Sequence, residues 1–229
     1  MSTVLVSALG MDASAGVARA DLEQHGVRII DCDDGRWRFP VASIVVEPDG
    51  TRTVVSPGAR TSGVRPTREA LEVIASASVV LIDGHHPRLA EAALAGPAPV
   101  VLDAGSAKPH AEGWLPQVDV LAASADYAVG LGLGVEEVIA HGLRAGCGAV
   151  VVTQGGGDVL WAHGPDRGRI TPPPVQAVDT NGAGDAFHGA LAAELARGAA
   201  LADAVGAAVR VASTRVTVAG ARRWMFRLA

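Results

Sequence analysis

Cysteine is nearly absent from the sequence: only Cys32 and Cys147 are present, far apart and in unrelated contexts. They form neither a disulfide framework nor the closely spaced pairs of a zinc site. Long apolar runs are also missing, since no stretch reaches the about 18 residues of a membrane span, and no basic leader precedes the short apolar run at the N-terminus. A reducing, cytoplasmic location without membrane insertion is therefore expected.

Clusters of basic residues are a third absence. The net charge is −5 and no segment concentrates Lys and Arg, although nucleic acids and anionic membranes both require a basic face. Only 3% of residues are aromatic, so the core must be built from Ala, Val and Leu. We expect a small-molecule partner and, at 229 residues, a single α/β domain over residues 1–229.

Short apolar segments alternate with amphipathic ones along most of the chain, which predicts βα units and a mainly parallel sheet with ligands at the carboxyl ends of its strands. The predicted strands are 4–9, 79–83, 100–103, 118–122 and 149–153. The predicted helices are 15–25, 67–75, 88–94, 135–144, 186–195 and 201–214. The segment 219–225 is expected to form a closing strand or a tail.

Residues 36–58 break this alternation. Every second residue is apolar on both sides of the turn Pro48-Asp49-Gly50, a pattern that predicts a β-hairpin projecting from the main sheet. Arg52 is the candidate functional residue in it. An ordinary edge hairpin is the alternative.

The most distinctive segment is D-T-N-G-A-G-D at residues 179–185, between an apolar, strand-like approach at 175–178 and a helix predicted from Ala186. Small residues there let successive backbone N–H groups face one point, and a helix N-terminus adds partial positive charge. Asp185 stands beside this anion site, where a carboxylate could take a proton from a hydroxyl that attacks a bound phosphoryl group. The alternative is that both aspartates only cap a turn and a helix, with the glycines supplying positive φ.

This segment resembles the D-T-x-G-A-G-D signature of the ribokinase-like (PfkB) carbohydrate kinases at all six fixed positions. The resemblance implies an α/β fold with a parallel-rich sheet flanked by helices, and ATP-dependent phosphorylation of a sugar hydroxyl with Mg²⁺ bridging the phosphates. It implies that Asp185 is the catalytic base. It also implies an anion hole at Gly182, Ala183 and Gly184 and a loop shaped by Asp179 and Thr180.

T-Q-G-G-G-D at 153–158 resembles the T-x-G-x-x-G nucleotide loop of these kinases. Thr153 and Gly155 match, which implies contacts with ATP within a nucleotide-binding half at about 119–229, whereas Asp158 replaces the last glycine. A generic glycine turn after a strand is the alternative. The hairpin at 36–58 would be the lid over the sugar in such a kinase, with Arg52 near the substrate, and a surface for a homodimer.

V-V-L-D-A-G-S-A-K-P at 100–109 resembles the D-x-G-S-x-K-P stretch of ketohexokinase-like members. Lys108 would supply charge near the phosphates or an anionic sugar group; a solvated loop lysine is the alternative. Where many relatives carry N-x-x-E, this chain has Ser124 and Tyr127, and Asp126 could supply a carboxylate as in the S-x-D forms of some relatives. No residue is predicted to bind a metal directly.

Three other functions remain open at this point. A dinucleotide-dependent oxidoreductase is disfavoured because Phe187 occupies the place of the third glycine after Gly182 and Gly184. A nucleoside kinase is a variant of the sugar kinase. The third is a weakly active or non-catalytic nucleotide-binding protein, because relatives carry an earlier strand and a sugar-contacting G-G-N segment that we do not find here; poor sugar phosphorylation and association through residues 4–9 are then expected.

Overall fold

The structure is a computed structural model that describes residues 2–46, 52–56 and 63–228. Contacts between Cα atoms divide the chain into two compact units. The first consists of residues 1–76 and 85–92, and the second of residues 77–84 and 93–229. Within the described ranges, no helix is both long and apolar enough to cross a membrane.

The first unit begins with a βαβ motif, of which the sequence pattern predicted the first half. Strands β1 (Thr3–Ser7) and β2 (Val27–Asp31) pair in parallel, and helix α1 (Ala13–Gln24) connects them. The Asp12 carboxylate caps α1 by accepting the N–H of Ala15 at 2.9 Å, as expected for an N-cap aspartate. Helix α2 (Arg68–Ser76) follows later in this unit.

The predicted hairpin is present but shorter than expected. Strands β3 (Ser43–Val46) and β4 (Arg52–Val55) pair antiparallel, while the predicted turn at 48–50 lies outside the described residues. Residues 36–42 are not a strand. Backbone N–H groups of this segment donate to side chains instead of to a neighbouring strand. Those of Arg36 and Trp37 donate to the Asp33 carboxylate, and that of Phe39 donates to the Asp12 carboxylate. Such local side-chain acceptors compete with strand pairing.

The second unit contains a six-stranded mixed sheet in the order β10-β9-β8-β7-β6-β5. Its strands are β5 (Val80–Ile82), β6 (Val100–Ala104), β7 (Val120–Ser124), β8 (Ala149–Thr153), β9 (Val159–His163) and β10 (Asp166–Ile170). The strands β5 to β8 are parallel, as predicted, and β9 and β10 extend the sheet antiparallel. Parallel strands point the same way, so the carboxyl ends of β6, β7 and β8 lie side by side along one side of the sheet.

Helix α3 (Pro87–Leu94) belongs to the first unit up to residue 92. The helices of the second unit are α4 (Pro109–Glu112), α5 (Ala125–Leu131), α6 (Val135–Arg144), α7 (Ala183–Ala196) and α8 (Leu201–Val216). On one face Phe187 and Leu191 of α7 and Val205 of α8 are buried against Val101 and Val151 of the sheet. Aliphatic and alanine side chains thus make up most of this core, in which Phe187 is the one fully buried aromatic residue among those described.

One sequence prediction near the C-terminus is wrong. Residues 175–178 form no strand; they are exposed and follow the prolines at 172–174, which lack the N–H needed for a ladder. Of the two alternatives for residues 219–225, a closing strand or a tail, the strand is absent. The chain there ends in a 3₁₀ turn, Arg223–Arg227, because Trp224 buries its ring and donates its indole N–H to the carbonyl of Ala221 at 2.9 Å.

Candidate active site

Helix α7 begins at Ala183, three residues earlier than predicted, with Gly182 as its N-cap. Gly182 adopts φ 68° and ψ 16°, and its carbonyl accepts the N–H of Ala186 at 3.0 Å. The N–H of Ala183 donates to the carbonyl of Thr180 at 3.3 Å. N–H groups ahead of Ala186 have no partner four residues back within the helix, so this end carries donors and positive dipole. Asp185 lies in that turn and is exposed. The predicted glycine turn is therefore the first turn of the helix itself.

Only one glycine of the motif needs its conformational freedom. Gly182 is left-handed, whereas Gly184 is helical, with no atom within 4 Å of the place a Cβ would occupy. The capping alternative, in which both glycines supply positive φ, therefore does not hold at Gly184, because the helix has already started there. A Cβ at position 182 would lie 3.5 Å from the Asp185 carboxylate, so this turn also keeps space beside the acid.

The loop before α7 is held by Arg215 of α8, a residue that the sequence analysis missed. Its side chain is only 3% exposed; Nη2 lies 3.2 Å from Asp179 Oδ2, and Nη1 donates to the carbonyls of Asp179 and Val218. No signal in the sequence separates Arg215 from Arg210, the other arginine of this alanine-rich helix. A buried guanidinium needs such partners because desolvation of an unpaired charge is costly.

Backbone donors complete the environment of Asp179. The N–H of Asn181 donates to Oδ1 at 3.0 Å and that of Gly220 to Oδ2 at 3.1 Å. The N–H of Asn181, together with those of Gly220 and the Arg215 guanidinium, lowers the pKa of Asp179 below its ordinary value, although partial burial opposes this. Both carboxylate oxygens accept hydrogen bonds from within the protein, so Asp179 organises the loop.

A cleft of about 910 Å³ opens beside the helix start. The motif residues that line it are Asp179, Asn181, Gly182 and Asp185, with Arg215 in its wall and Trp224 on its far side. Thr180, Ala183 and Gly184 do not line it. The start of α7 thus borders an open cleft, and Asp185 is the carboxylate of its first turn that lines this cleft.

A second group of predicted residues lies at the carboxyl ends of β7 and β8. Ser124 and Thr153 are register partners in these strands. The Ser124 hydroxyl caps α5 by accepting the N–H groups of Asp126 and Tyr127 and donates to the carbonyl of Gly105 at 2.9 Å. The Thr153 hydroxyl donates to the carbonyl of Ala123 at 3.4 Å.

The turn that joins β8 and β9 is tight. Gly155 adopts φ 60° there, a conformation that favours glycine. Asp158, where relatives carry a glycine, accepts the Thr171 hydroxyl at 2.7 Å and lies 3.2 Å from Arg169 Nη1. It therefore ties this turn to β10 and its continuation.

Tyr127 points into the protein. Its hydroxyl donates to Glu112 at 2.6 Å, and burial together with this carboxylate raises the pKa of Tyr127. His141 Nε2 lies 2.9 Å from the other Glu112 oxygen. Tyr127 thus offers no carboxylate to the strand ends, whereas Asp126 beside it is exposed.

The two predicted substrate residues lie in different units. Lys108, the only lysine in the sequence, follows β6; its Nζ lies 3.5 Å from Ser106 Oγ, and its stem covers Gly84. Arg52 begins β4 in the first unit, and its side chain lies outside the described residues. No group of three or more potential metal-binding side chains is found in the described part of the chain.

One further contact joins α7 to the sheet. His188, 4% exposed, places Nδ1 3.1 Å from Asp103 Oδ2 at the end of β6. The sequence marked Asp103 as a strand-end residue but gave no sign of this partner, because a histidine within a helix pattern does not reveal what it faces.

The fold is that of ribokinase-like kinases. Ribokinase from Thermotoga maritima superposes with a TM-score of 0.83 at 23% identity, over 96% of this chain and 77% of that one. Arabidopsis thaliana ribokinase, solved with ribose and ATP, gives 0.79 at 23% identity, over 97% and 78%. Adenosine kinase from Schistosoma mansoni, solved with 2-fluoroadenosine, gives 0.77 at 17% identity, over 95% and 74%.

The family model for pfkB carbohydrate kinases matches residues 1–225. The chain belongs to the pfkB family of carbohydrate kinases, and its class is therefore that of carbohydrate and nucleoside kinases. The predicted family and fold class are confirmed, whereas the closer likeness to ketohexokinase-like members stays a prediction.

Replacing Gly182 and Gly184 separately by alanine tests the observed helix start. Gly182→Ala should lower the free energy of unfolding by about 1–2 kcal/mol, since a Cβ is strained in the left-handed region. Gly184→Ala should be neutral or stabilising by up to about 1 kcal/mol, since alanine favours a helix. Urea unfolding of both variants measures the difference. Equal stabilities would contradict a helix that starts at Ala183.

Acid unfolding tests the Asp179 network. Because the pKa of Asp179 is lowered in the folded state, its ionised form contributes stability that is fully present above about pH 4 and is lost as the pH falls through the folded-state pKa. Asp179→Asn should therefore melt at a lower temperature than the parent at pH 7 and lose less melting temperature between pH 5 and pH 3.

The matched control is Asp166→Asn, which removes an exposed carboxylate of β10. It should retain the acid sensitivity of the parent. An Asp179→Asn protein with the same pH dependence as the parent would contradict the assigned network.

Proposed function

We propose that this protein transfers the γ-phosphoryl group of ATP to a hydroxyl of a sugar. The observation that carries the proposal is the placement of an exposed carboxylate, Asp185, within the first turn of α7, beside a left-handed N-cap glycine at the N-terminus of that helix. Phosphoryl transfer needs mainly such positioning and charge stabilisation from a protein.

Asp185 acts as the general base in this proposal. Its carboxylate accepts the proton of the acceptor hydroxyl as that oxygen bonds to phosphorus and the bond to the departing ADP oxygen breaks. The amides of Gly182, Ala183 and Gly184 stabilise the negative charge on the transferred phosphoryl oxygens, as donors at a helix N-terminus do for anions. Asp179 and Thr180 shape the loop that presents them, with Arg215 as the buried anchor.

The nucleotide is proposed to bind through the strand ends of the second unit, within residues 119–229. Thr153 and Gly155 would border the phosphates and ribose, and Ser124 would hold the start of α5 beside them. Support comes from the pairing of Ser124 with Thr153 and the tight turn at Gly155.

The exposed Asp126 fits Mg²⁺, which usually keeps several waters and takes one or two carboxylates with the substrate phosphates. Bound there, Mg²⁺ would neutralise phosphate charge. The Ser124 hydroxyl is less suited to this role, since it already donates to one carbonyl and accepts two amides.

The acceptor is proposed to be held by Lys108 and Arg52, with the hairpin of β3 and β4 as the lid and as a homodimer surface. Lys108 has the stronger support, because its stem is packed over Gly84 and its ammonium stays near the edge of the sheet. A lysine in this place favours an acceptor with an anionic group. A nucleoside remains a second acceptor class, consistent with the fold likeness to adenosine kinase.

A weakly active or non-catalytic nucleotide-binding role is the second candidate. The observation in its favour is that Tyr127, where relatives carry a glutamate, points toward Glu112 and leaves Asp126 as the exposed carboxylate of that turn. Binding of ATP without any acceptor-dependent ADP release would support this role.

Asp185→Asn tests the proposal directly. The parent should release ADP in a coupled assay with at least one member of a panel of sugars, anionic sugars and nucleosides. The variant should lose about 10²–10⁴-fold in rate, the usual contribution of general-base catalysis. Its affinity for ATP should stay close to that of the parent, since the base acts on the acceptor.

Asp203→Asn is the matched control, because Asp203 occupies the first turn of the neighbouring helix α8. It should keep the activity of the parent. Full turnover in Asp185→Asn would contradict the assignment of the base, and an inactive parent over the whole panel would contradict the proposed kinase activity.

A further inference from the structure

A buried imidazole and a carboxylate join the helix that carries Asp185 to the central sheet. His188 lies three residues after Asp185 on α7, is 4% exposed, and places Nδ1 3.1 Å from Oδ2 of Asp103. Asp103 is near the end of β6, and its side chain is 22% exposed. The pair therefore connects the second turn of α7 to the end of β6.

Stability alone does not account for this pair. The two atoms are close enough for an ion pair, yet neither His188 nitrogen makes an aligned hydrogen bond with any described residue. A buried polar group without such a bond lowers stability relative to an apolar side chain of similar size. Phe187 and Leu191 of this helix are already buried in the hydrophobic core. A leucine at position 188 would add a third apolar side chain to that core.

The location of the pair suggests its role. Asp103 leads into Gly105, whose carbonyl accepts the Ser124 hydroxyl at 2.9 Å, and Ser124 is paired with Thr153. A Cβ at position 105 would lie 3.4 Å from Asp103 Oδ1, so the chain folds closely over this carboxylate. The contact between Asp103 and His188 thus links the start of α7 to the strand ends where the nucleotide is proposed to bind.

We infer that Asp103 and His188 are positioning residues that fix α7 against β6, so that Asp185 and the first-turn amides keep their orientation toward the transferred phosphoryl group. The inference rests on the proposed phosphoryl transfer. Neither residue touches the reacting atoms in this account. Small errors in such an orientation are costly, since a displacement of about 1 Å can reduce a rate by about 10²-fold.

His188→Leu separates positioning from packing. It should melt at the same temperature as the parent or higher, while kcat falls by about 10- to 100-fold and the KM for ATP changes by less than about twofold. Asp103→Asn should lower kcat similarly, and the double variant should be no worse than either single variant. His188→Gln, which keeps a polar group near Asp103, should recover part of the lost kcat.

His141→Leu is the matched control, because His141 also contacts a carboxylate from within a helix, at 2.9 Å from Glu112, but makes a hydrogen bond there. It should lower the melting temperature and leave kcat per folded molecule unchanged. A His188→Leu protein that behaves in the same way, less stable with unchanged kcat, would overturn the inference.

Hydrogen exchange provides a readout that does not depend on activity. The amides of residues 186–190 in α7 should exchange faster in His188→Leu than in the parent at equal melting temperature, whereas α6 should be unchanged. If the parent releases no ADP with any acceptor, the proposed function fails and this exchange decides the positioning role alone. Unchanged exchange in α7 would overturn it.

Discussion

The ion pair between the buried Arg215 and the partly exposed Asp179 is the contact on which the candidate site depends. One guanidinium binds the carboxylate and carbonyl of Asp179 and the carbonyl of Val218, and the N–H groups of Val178 and Asp179 donate to the carbonyl of Val216, so the end of α8 and the loop before α7 are held together. Removal of the Asp179 carboxylate would leave the buried guanidinium without its anionic partner, which is strongly destabilising. The left-handed Gly182 can then start α7 at one defined place.

Helix α7 packs on the sheet that carries the proposed nucleotide residues, and it also carries Asp185. Asp185 of its first turn lines the cleft, while Phe187 and Leu191, in its next turns, are buried in the core against the sheet. The same sheet ends in Ser124 and Thr153. The packing that stabilises the second unit therefore also sets the orientation of the proposed base relative to the proposed nucleotide residues, so stability and function depend on the same contacts.

Much of this was predictable because it is local. The alternation of apolar and amphipathic segments predicted the parallel strands β5 to β8. The small residues and aspartates at 179–185 predicted the start of α7 to within three residues. The non-local contacts were not predictable: Arg215 lies 36 residues from Asp179, and nothing in a helical pattern shows what His188 faces. Short-range competition also misled the sequence interpretation, as where the Asp12 and Asp33 carboxylates take the N–H groups of an expected strand.

The central claim is that the start of α7 holds the transferred phosphoryl group beside Asp185. A crystal structure with a non-hydrolysable ATP analogue and Mg²⁺ measures this directly. We expect the terminal phosphate oxygens to lie about 3 Å from backbone nitrogens of residues 182–184, with the Asp185 carboxylate facing the side of phosphorus opposite the bridging atom. A terminal phosphate bound outside hydrogen-bond reach of these amides, with Asp185 turned away from it, would contradict the account.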